Sequence, residues 1–311
     1  MLRRVLLAAS ASQRVRHIIT TAPLTRDVVA RFVAGDNAAD ALAAAQRLIA
    51  SGLAVTLDYL GEDTVDPDQA AAVAQEYVTL LERLAAAGLA ADGRAEVSVK
   101  PTAVGLGLAD QGAKIAAGHI ARICAVARQA GTTVTLDMED HSRVEATLRL
   151  VSDLRTDFPD LGCVLQSYLR RSPGDCQALA AAGSRVRLCK GAYRAPDGVA
   201  LPARSEVDRS YARCMRILLD GAGYPMLATH DPRLIEIATA RAAAAGRGAD
   251  SFEYQMLFGI RPDEQLRLTA AGGQVRVYLP YGNDWYGYLV RRLAERPANL
   301  AFFLRAVSSR G

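Results

Sequence analysis

From residue 53 onward, short apolar or β-branched runs recur along the chain. Each is followed by a loop and a longer stretch with apolar residues three and four apart. The runs are LAVTLDY (53–59), EVSVK (96–100), TTVTLD (132–137), GCVLQ (162–166), RVRLCK (185–190), PMLATH (225–230), FEYQML (252–257) and QVRVYLP (274–280). Segments such as DPDQAAAVAQEYVTLLERLAAAG and KIAAGHIARICAVARQAG lie between them and have the periodicity of amphipathic helices. Strand alternating with helix predicts parallel βαβ units. Eight such units in about 250 residues predict a (β/α)8 barrel. A doubly wound open sheet would carry a glycine-rich turn after its first strand. The turn here, LDYLGEDTVDP, has one glycine and no GxGxxG. Upstream, TRDVVARFVAG (25–35) and NAADALAAAQRLIASG (37–52) read as helices that stop at glycines. The expected architecture is an α/β protein: a helical segment over 1–52 followed by a barrel over 53–311.

A barrel carries its chemistry where strands end and βα loops begin. Those positions hold Lys100, Asp137, Gln166, Arg187 with Lys190, Thr229 with His230, Gln255 and Tyr278. Polar residues are common where a strand emerges, but so many at equivalent positions point to a site. Singly, each has a plainer reading. Lys100 precedes a proline and can mark a strand exit. In LDMEDHSR (136–143), Asp140 and Glu139 suit helix capping, whereas Asp137 sits inside the apolar run and is not explained that way. In VRLCK, Arg187 and Cys189 share one strand face and Val186, Leu188 and Lys190 the other, and one of these faces lines the barrel. An arginine buried there needs an acceptor. His17, His119, His141 and His230 are scattered, which argues against a metal site.

Composition narrows the class. At 311 residues, half of them hydrophobic, the chain can bury a large core. The net charge of +4 is small and spread along the sequence, which argues against nucleic acid. Five cysteines without CxxC spacing read as reduced cytosolic thiols, so a cytoplasmic location is expected. The start, MLRRVLLAASASQRVRHII, reads as an amphipathic helix and not a signal peptide, since Arg14, Arg16 and His17 follow its apolar run at once. No run of 18 apolar residues occurs, so no spanning helix is expected.

Near the end, YGNDWYGYLVRRLAERPAN sets Arg291 and Arg292 side by side, with Glu295 four residues after the first. Adjacent helical positions point about 100° apart. The pair is either an ordinary charged face or two guanidinium groups converging on an anion from a helix across the barrel mouth. Glu295 then steadies Arg291 or faces a cationic ligand group.

The ordered motifs SVKPTAVGL, TLDMEDHSR, VLQSYLRR, RLCKGAYR, ATHD, FEYQMLFG and YLPYGNDWYGYLVRRLAERPAN resemble those of the proline dehydrogenase family. The resemblance runs from about residue 30 to residue 305, with no aldehyde dehydrogenase domain following. It implies a monofunctional flavoenzyme on a distorted (β/α)8 barrel, oxidising L-proline to Δ1-pyrroline-5-carboxylate with FAD and passing electrons to a quinone. It further implies that Arg291 and Arg292 clamp the substrate carboxylate. Lys100, Leu257, Tyr278 and Glu295 would complete the substrate site, and Asp137 and Arg187 form the catalytic pair. Met138, Gln166, Arg187, Lys190, Gly191, Ala192, Thr229 and His230 fall where the family binds FAD. Glu62 is a candidate partner for Arg291, and the basic N-terminal helix suits peripheral contact with an anionic bilayer. Nothing in the pattern sets an oligomeric state. Two other readings of the residues stay open: a barrel lyase whose Lys100 forms a Schiff base, and a silent barrel that binds an amino acid.

Overall fold

Every strand run named above becomes a strand. The computed structural model describes residues 29–289. In chain order the elements are α1 (Ala38–Ala50), β1 (Ala54–Tyr59), α2 (Pro67–Ala86), β2 (Ala95–Val99), α3 (Gly112–Gln129), β3 (Val134–Leu136), α4 (Val144–Leu154), β4 (Gly162–Gln166), α5 (Ser172–Ala181), β5 (Arg185–Cys189), α6 (Arg204–Asp220), β6 (Tyr224–Ala228), α7 (Pro232–Ala244), β7 (Glu253–Leu257), α8 (Pro262–Ala270) and β8 (Val275–Tyr281). The eight strands pair in parallel in sequence order and close, with β8 beside β1 and Thr56 opposite Tyr278. Helix starts follow the local chemistry. Asn37 accepts the N–H groups of Ala39 and Asp40 at α1, and Asp66 accepts that of Gln69 at α2, where Pro67 is pre-set for the first turn.

The alternation along the strands has an outward and an inward meaning. Val55, Leu57, Val97, Leu136, Leu165, Leu188, Leu227 and Val277 join the helices in one apolar core. The inward positions are polar. Towards the strands' N-terminal ends, Glu96 accepts from the Thr56 hydroxyl at 2.8 Å and from Arg185 at 2.8 Å. Arg276 pairs with Glu253 at 2.8 Å and donates to the carbonyls of Val55 and Gly93, both at 3.0 Å. Burial alone would raise the Glu96 pKa, but Arg276, Arg185 and Arg187 together hold it down to about 2.

That depression is a stability statement. A glutamate titrating near 4.3 when unfolded and about 2 when folded contributes about 3 kcal/mol, fully present above the unfolded value and lost as pH falls through the folded one. Wild type and Glu96→Gln are therefore expected to differ most in urea midpoint at pH 7. The gap should shrink between pH 4 and pH 2, as measured by equilibrium unfolding. A gap that stayed constant would show that Glu96 carries no linked charge.

The seam between β8 and β1 is covered by α1, which packs on both strands. It thereby takes the flank where a regular barrel would seat the helix following β8. The helical residues 285–289 lie elsewhere. Tyr288 and Leu289 pack with Leu60, after β1, with Ile260, after β7, and with Phe32 and Val33. All of these contacts are at the strands' C-terminal rim. Gly259 makes the arrangement possible: its φ is +72°, and an added Cβ would lie 1.7 Å from the Arg31 carbonyl oxygen. Arg291, Arg292 and Glu295 lie outside the described residues.

Candidate active site

Five of the strand-end residues singled out from the sequence, Lys100, Asp137, Arg187, Gln255 and Tyr278, meet at the C-terminal end of the barrel interior. Asp137, just after β3, is the centre. Its Oδ1 accepts from Arg187 Nη1 at 2.8 Å and from the Ser98 hydroxyl at 2.9 Å, and its Oδ2 accepts from the Tyr278 hydroxyl at 2.7 Å. Lys100 lies 3.7 Å from the same Oδ2. Arg187 reaches in from β5, donates from Nε to Gln255 Oε1 at 2.6 Å, and lies over the Tyr278 ring at 5.2 Å. The face of β5 that lines the barrel is therefore the one carrying Arg187. Lys100 is also fixed by Asp58, at 2.6 and 2.7 Å from its two carboxylate oxygens.

All four charges in this cluster are buried, with exposures of 1% for Asp58, 6% for Lys100, 9% for Asp137 and 4% for Arg187, so their mutual pairing sets their protonation. Burial would raise the Asp137 pKa, but Arg187 and Lys100 hold it below the usual carboxylate range. Asp58 is raised, by burial first, with Lys100 opposing and Asp137 adding to the shift. Burial would lower Lys100, but Asp58 and Asp137 hold it above its ordinary value. Lys100 is thus a fixed ammonium. A Schiff-base lysine needs the opposite environment, one that frees its lone pair at neutral pH.

The remaining described candidates hold contacts of their own outside this cluster. Gln166 donates from Nε2 to the Met138 carbonyl at 3.2 Å, which brings two of them together. His230 accepts the Leu257 N–H on Nε2 at 2.9 Å. The Thr229 hydroxyl accepts the Asp231 N–H at 3.1 Å. Lys190 stands apart, bound to Asp208 at 2.5 Å and to Asp231 at 3.4 Å. Gly191 has φ +95°, and a Cβ there would strike the Tyr168 ring at 2.2 Å; Ala192, next to it, is half-buried. Among the described residues several buried polar atoms have no hydrogen-bond partner, and two of them belong to site candidates: Gln166 Oε1 and Arg187 Nη2. Arg187 Nη2 still faces a carboxylate, Glu96 Oε1 at 3.6 Å. Gln166 Oε1 is left open, and an open acceptor suits a polar aromatic ring that offers an N–H. The isoalloxazine of FAD offers one, so the residues present fit it.

Several members of these buried charge networks went unseen in the sequence. Asp58 carries the same signal as Asp137, an acid inside an apolar strand. Ser98, Glu96, Arg185, Glu253 and Arg276 occupy alternate strand positions that only closure of the barrel pairs. Asp140 does cap, accepting the Ser142 N–H at 2.9 Å, but Glu139 does not: it accepts the Thr102 N–H at 3.0 Å and the Thr102 hydroxyl. Glu62 Oε2 accepts from the Tyr193 hydroxyl at 3.2 Å, joining the loops after β1 and β5.

Comparison with known proteins agrees with this geometry. The family model described as proline dehydrogenase matches residues 41–305. The chain is 42% identical over 279 residues to a proline dehydrogenase of Deinococcus radiodurans, covering 89% of each. It is 38% identical to proline dehydrogenase 1 of Bacillus subtilis, covering 99% of each. Against the bifunctional protein PutA of Escherichia coli it is 30% identical, but it spans only 24% of that protein. Among solved structures, proline utilization A of Bdellovibrio bacteriovorus, inactivated by N-propargylglycine, superposes with TM-score 0.79 at 26% identity, over 86% of this chain and 32% of that one.

Proposed function

The chain belongs to the proline dehydrogenase family, and from that premise we propose an FAD-dependent oxidation of L-proline to Δ1-pyrroline-5-carboxylate at the Asp137 cluster. As a member of that family it is an oxidoreductase acting on the CH–NH group, and it spans most of the length of the proline dehydrogenases it matches. The observation that carries the detailed reading is the closed set of buried charges around Asp137, with the Gln166 acceptor on the adjoining strand β4 left open. FAD, when bound, supplies the acceptor for the hydride leaving the proline ring carbon. Gln166, Arg187, Met138, Lys190, Gly191, Ala192, Thr229 and His230 would hold it. Arg187 presents fixed positive charge to the region where negative charge accumulates, and Asp137, Ser98 and Gln255 keep its guanidinium from swinging away. Tyr278, held by Asp137, and Leu257 would bear on the substrate ring. Lys100 adds a second cation facing the site, and the two cations favour loss of the substrate ammonium proton. Arg291 and Arg292 would grip the substrate carboxylate, with Glu295 steadying them; residues 285–289 lead the chain into that segment from the barrel rim. The same proposal includes a helical segment over 1–52 ahead of a barrel over 53–311, and a quinone as electron acceptor. Among the described residues no helix is long and apolar enough to cross a membrane; the proposal takes the contact with a quinone-bearing bilayer to be peripheral.

The first test is the absorbance spectrum of purified protein and its response to proline without oxygen. A flavin band that bleaches on adding proline is expected, and a colourless protein ends the reading. Arg291→Ala and Arg292→Ala should each raise KM for proline about 100-fold or more, since a desolvated charge-assisted pair broken on one side costs several kcal/mol. Variants with wild-type KM would remove the clamp assignment.

A further inference from the structure

Thr102, in the loop after β2, joins three βα loops. Its N–H donates to Glu139 Oε2 at 3.0 Å and its hydroxyl donates to Glu139 Oε1. The same hydroxyl accepts the Asp63 N–H at 3.1 Å. The Thr102 carbonyl accepts the Thr64 hydroxyl at 2.9 Å and the Thr64 N–H at 3.3 Å. Asp63 is held at φ +53°, a conformation a non-glycine residue keeps only when its surroundings fix it. The residue before it is Glu62, which meets Tyr193. Since β1 and β5 stand opposite each other in the ring of eight strands, that contact crosses the barrel mouth.

We propose that Glu139 is a positioning residue for proline oxidation: acting through Thr102, it holds the loop after β1 in the conformation that sets Glu62 across the mouth. The kinetic part of this inference rests on the proline dehydrogenase reading. Glu139 is buried at 4% exposure and faces Lys100 at the end of β2 and Glu62 in the loop after β1, with Asp137 and Asp140 flanking it in its own segment. Burial pushes its carboxyl up to about 7, against the opposing Thr102 hydrogen bonds and Lys100. An acid whose pKa is raised in the closed arrangement binds its proton more tightly there than when the loop opens to water. The hold is therefore full at low pH and weakens as pH rises through the closed-state value. Glutamine keeps an acceptor for the Thr102 N–H and a donor for its hydroxyl while removing the titration.

The experiment compares wild type, Glu139→Gln and Thr102→Val as flavin-loaded protein between pH 6 and pH 9. Steady-state kinetics with proline are read together with hydrogen exchange at the Asp63 and Thr64 amides. Thr102→Val should raise KM about tenfold with kcat within about twofold, because a loosened mouth weakens ground and transition states alike. Both amides should then exchange faster. Wild-type KM should rise between pH 6 and pH 8, and Glu139→Gln should lack that rise. Unchanged KM in Thr102→Val, unchanged exchange, or a wild-type pH profile in Glu139→Gln overturns the assignment. If Thr102→Val does not fold, the Glu139→Gln comparison decides alone. If wild type does not oxidise proline, the functional reading falls, while the exchange data still decide what Glu139 holds.

Discussion

Arg187→Met is expected to lower kcat/KM for proline by about three orders of magnitude, the scale seen when a preorganised charge is removed from an active site. It should also cost about 3–5 kcal/mol of stability, as for any broken buried ion pair. Both effects follow from what the side chain spans. From β5 it reaches Asp137 at 2.8 Å, Ser98 on β2 at 2.9 Å and Gln255 on β7 at 2.6 Å. Methionine fills similar volume but leaves Gln255 Oε1 without its donor and takes the closest cation from Asp137, which keeps only the Ser98 and Tyr278 hydroxyls and the more distant Lys100. Arg187 is the largest influence opposing burial on Asp137, so its loss lets that carboxyl rise. The sign is definite. In wild type a depressed Asp137 contributes stability above its unfolded pKa and loses it in acid; in the variant this acid dependence shrinks. Arg187→Lys keeps a charge but not the planar fork that serves three acceptors, and should fall between the two. Steady-state kinetics and urea unfolding at pH 7 and pH 4 measure all of this. A methionine variant within about threefold of wild type would remove Arg187 from the chemistry.

The Arg187 network also shows what a linear reading of the chain reveals. The barrel was legible because the outward strand face is consistently apolar, and LAVTLDY, RVRLCK and QVRVYLP each end within one residue of a strand boundary. Asp137, Arg187, Lys100 and Tyr278 were legible as polar residues at strand ends, where a barrel displays its chemistry. Asp58 has the same credentials. It stayed hidden because DYLGEDTVDP reads equally well as the start of a polar loop, and only its salt bridge to Lys100 distinguishes it. The basal set of Glu96, Arg185, Glu253 and Arg276 was illegible in principle. Each is an ordinary alternate polar position in a strand that also fits a solvated face, and its partner lies many residues away. Glu139 shows the bias of local reasoning. Beside Asp140 it looked like a helix cap, but its partner is 37 residues upstream. The proposed flavin site carries no glycine-rich loop, so its trace is one buried acceptor without a hydrogen-bond partner, Gln166 Oε1, visible only once the barrel is closed.

Lys100→Met tests whether the ammonium holds the cluster together or also serves the substrate. Asp58 and Asp137 share it, and each adds to the other's burial penalty once it is gone. The single variant is expected to lose about 3–5 kcal/mol of stability, because a buried carboxylate is left without its counter-charge. Removing that charge as well should reverse much of the loss: Lys100→Met with Asp58→Asn places a neutral amide beside a thioether, and the two changes couple strongly since the residues touch. Activity separates the roles. If Lys100 contacts substrate, the double variant regains its urea midpoint but keeps a KM for proline raised about tenfold or more. If Lys100 only neutralises Asp58, activity and stability return together. The same protein bears on the lyase alternative. An ammonium gripped by both oxygens of Asp58 does not offer a lone pair to a carbonyl. Borohydride added with a ketoacid should therefore leave wild-type Lys100 unmodified by mass spectrometry, and an adduct at that residue would return the Schiff-base reading to first place.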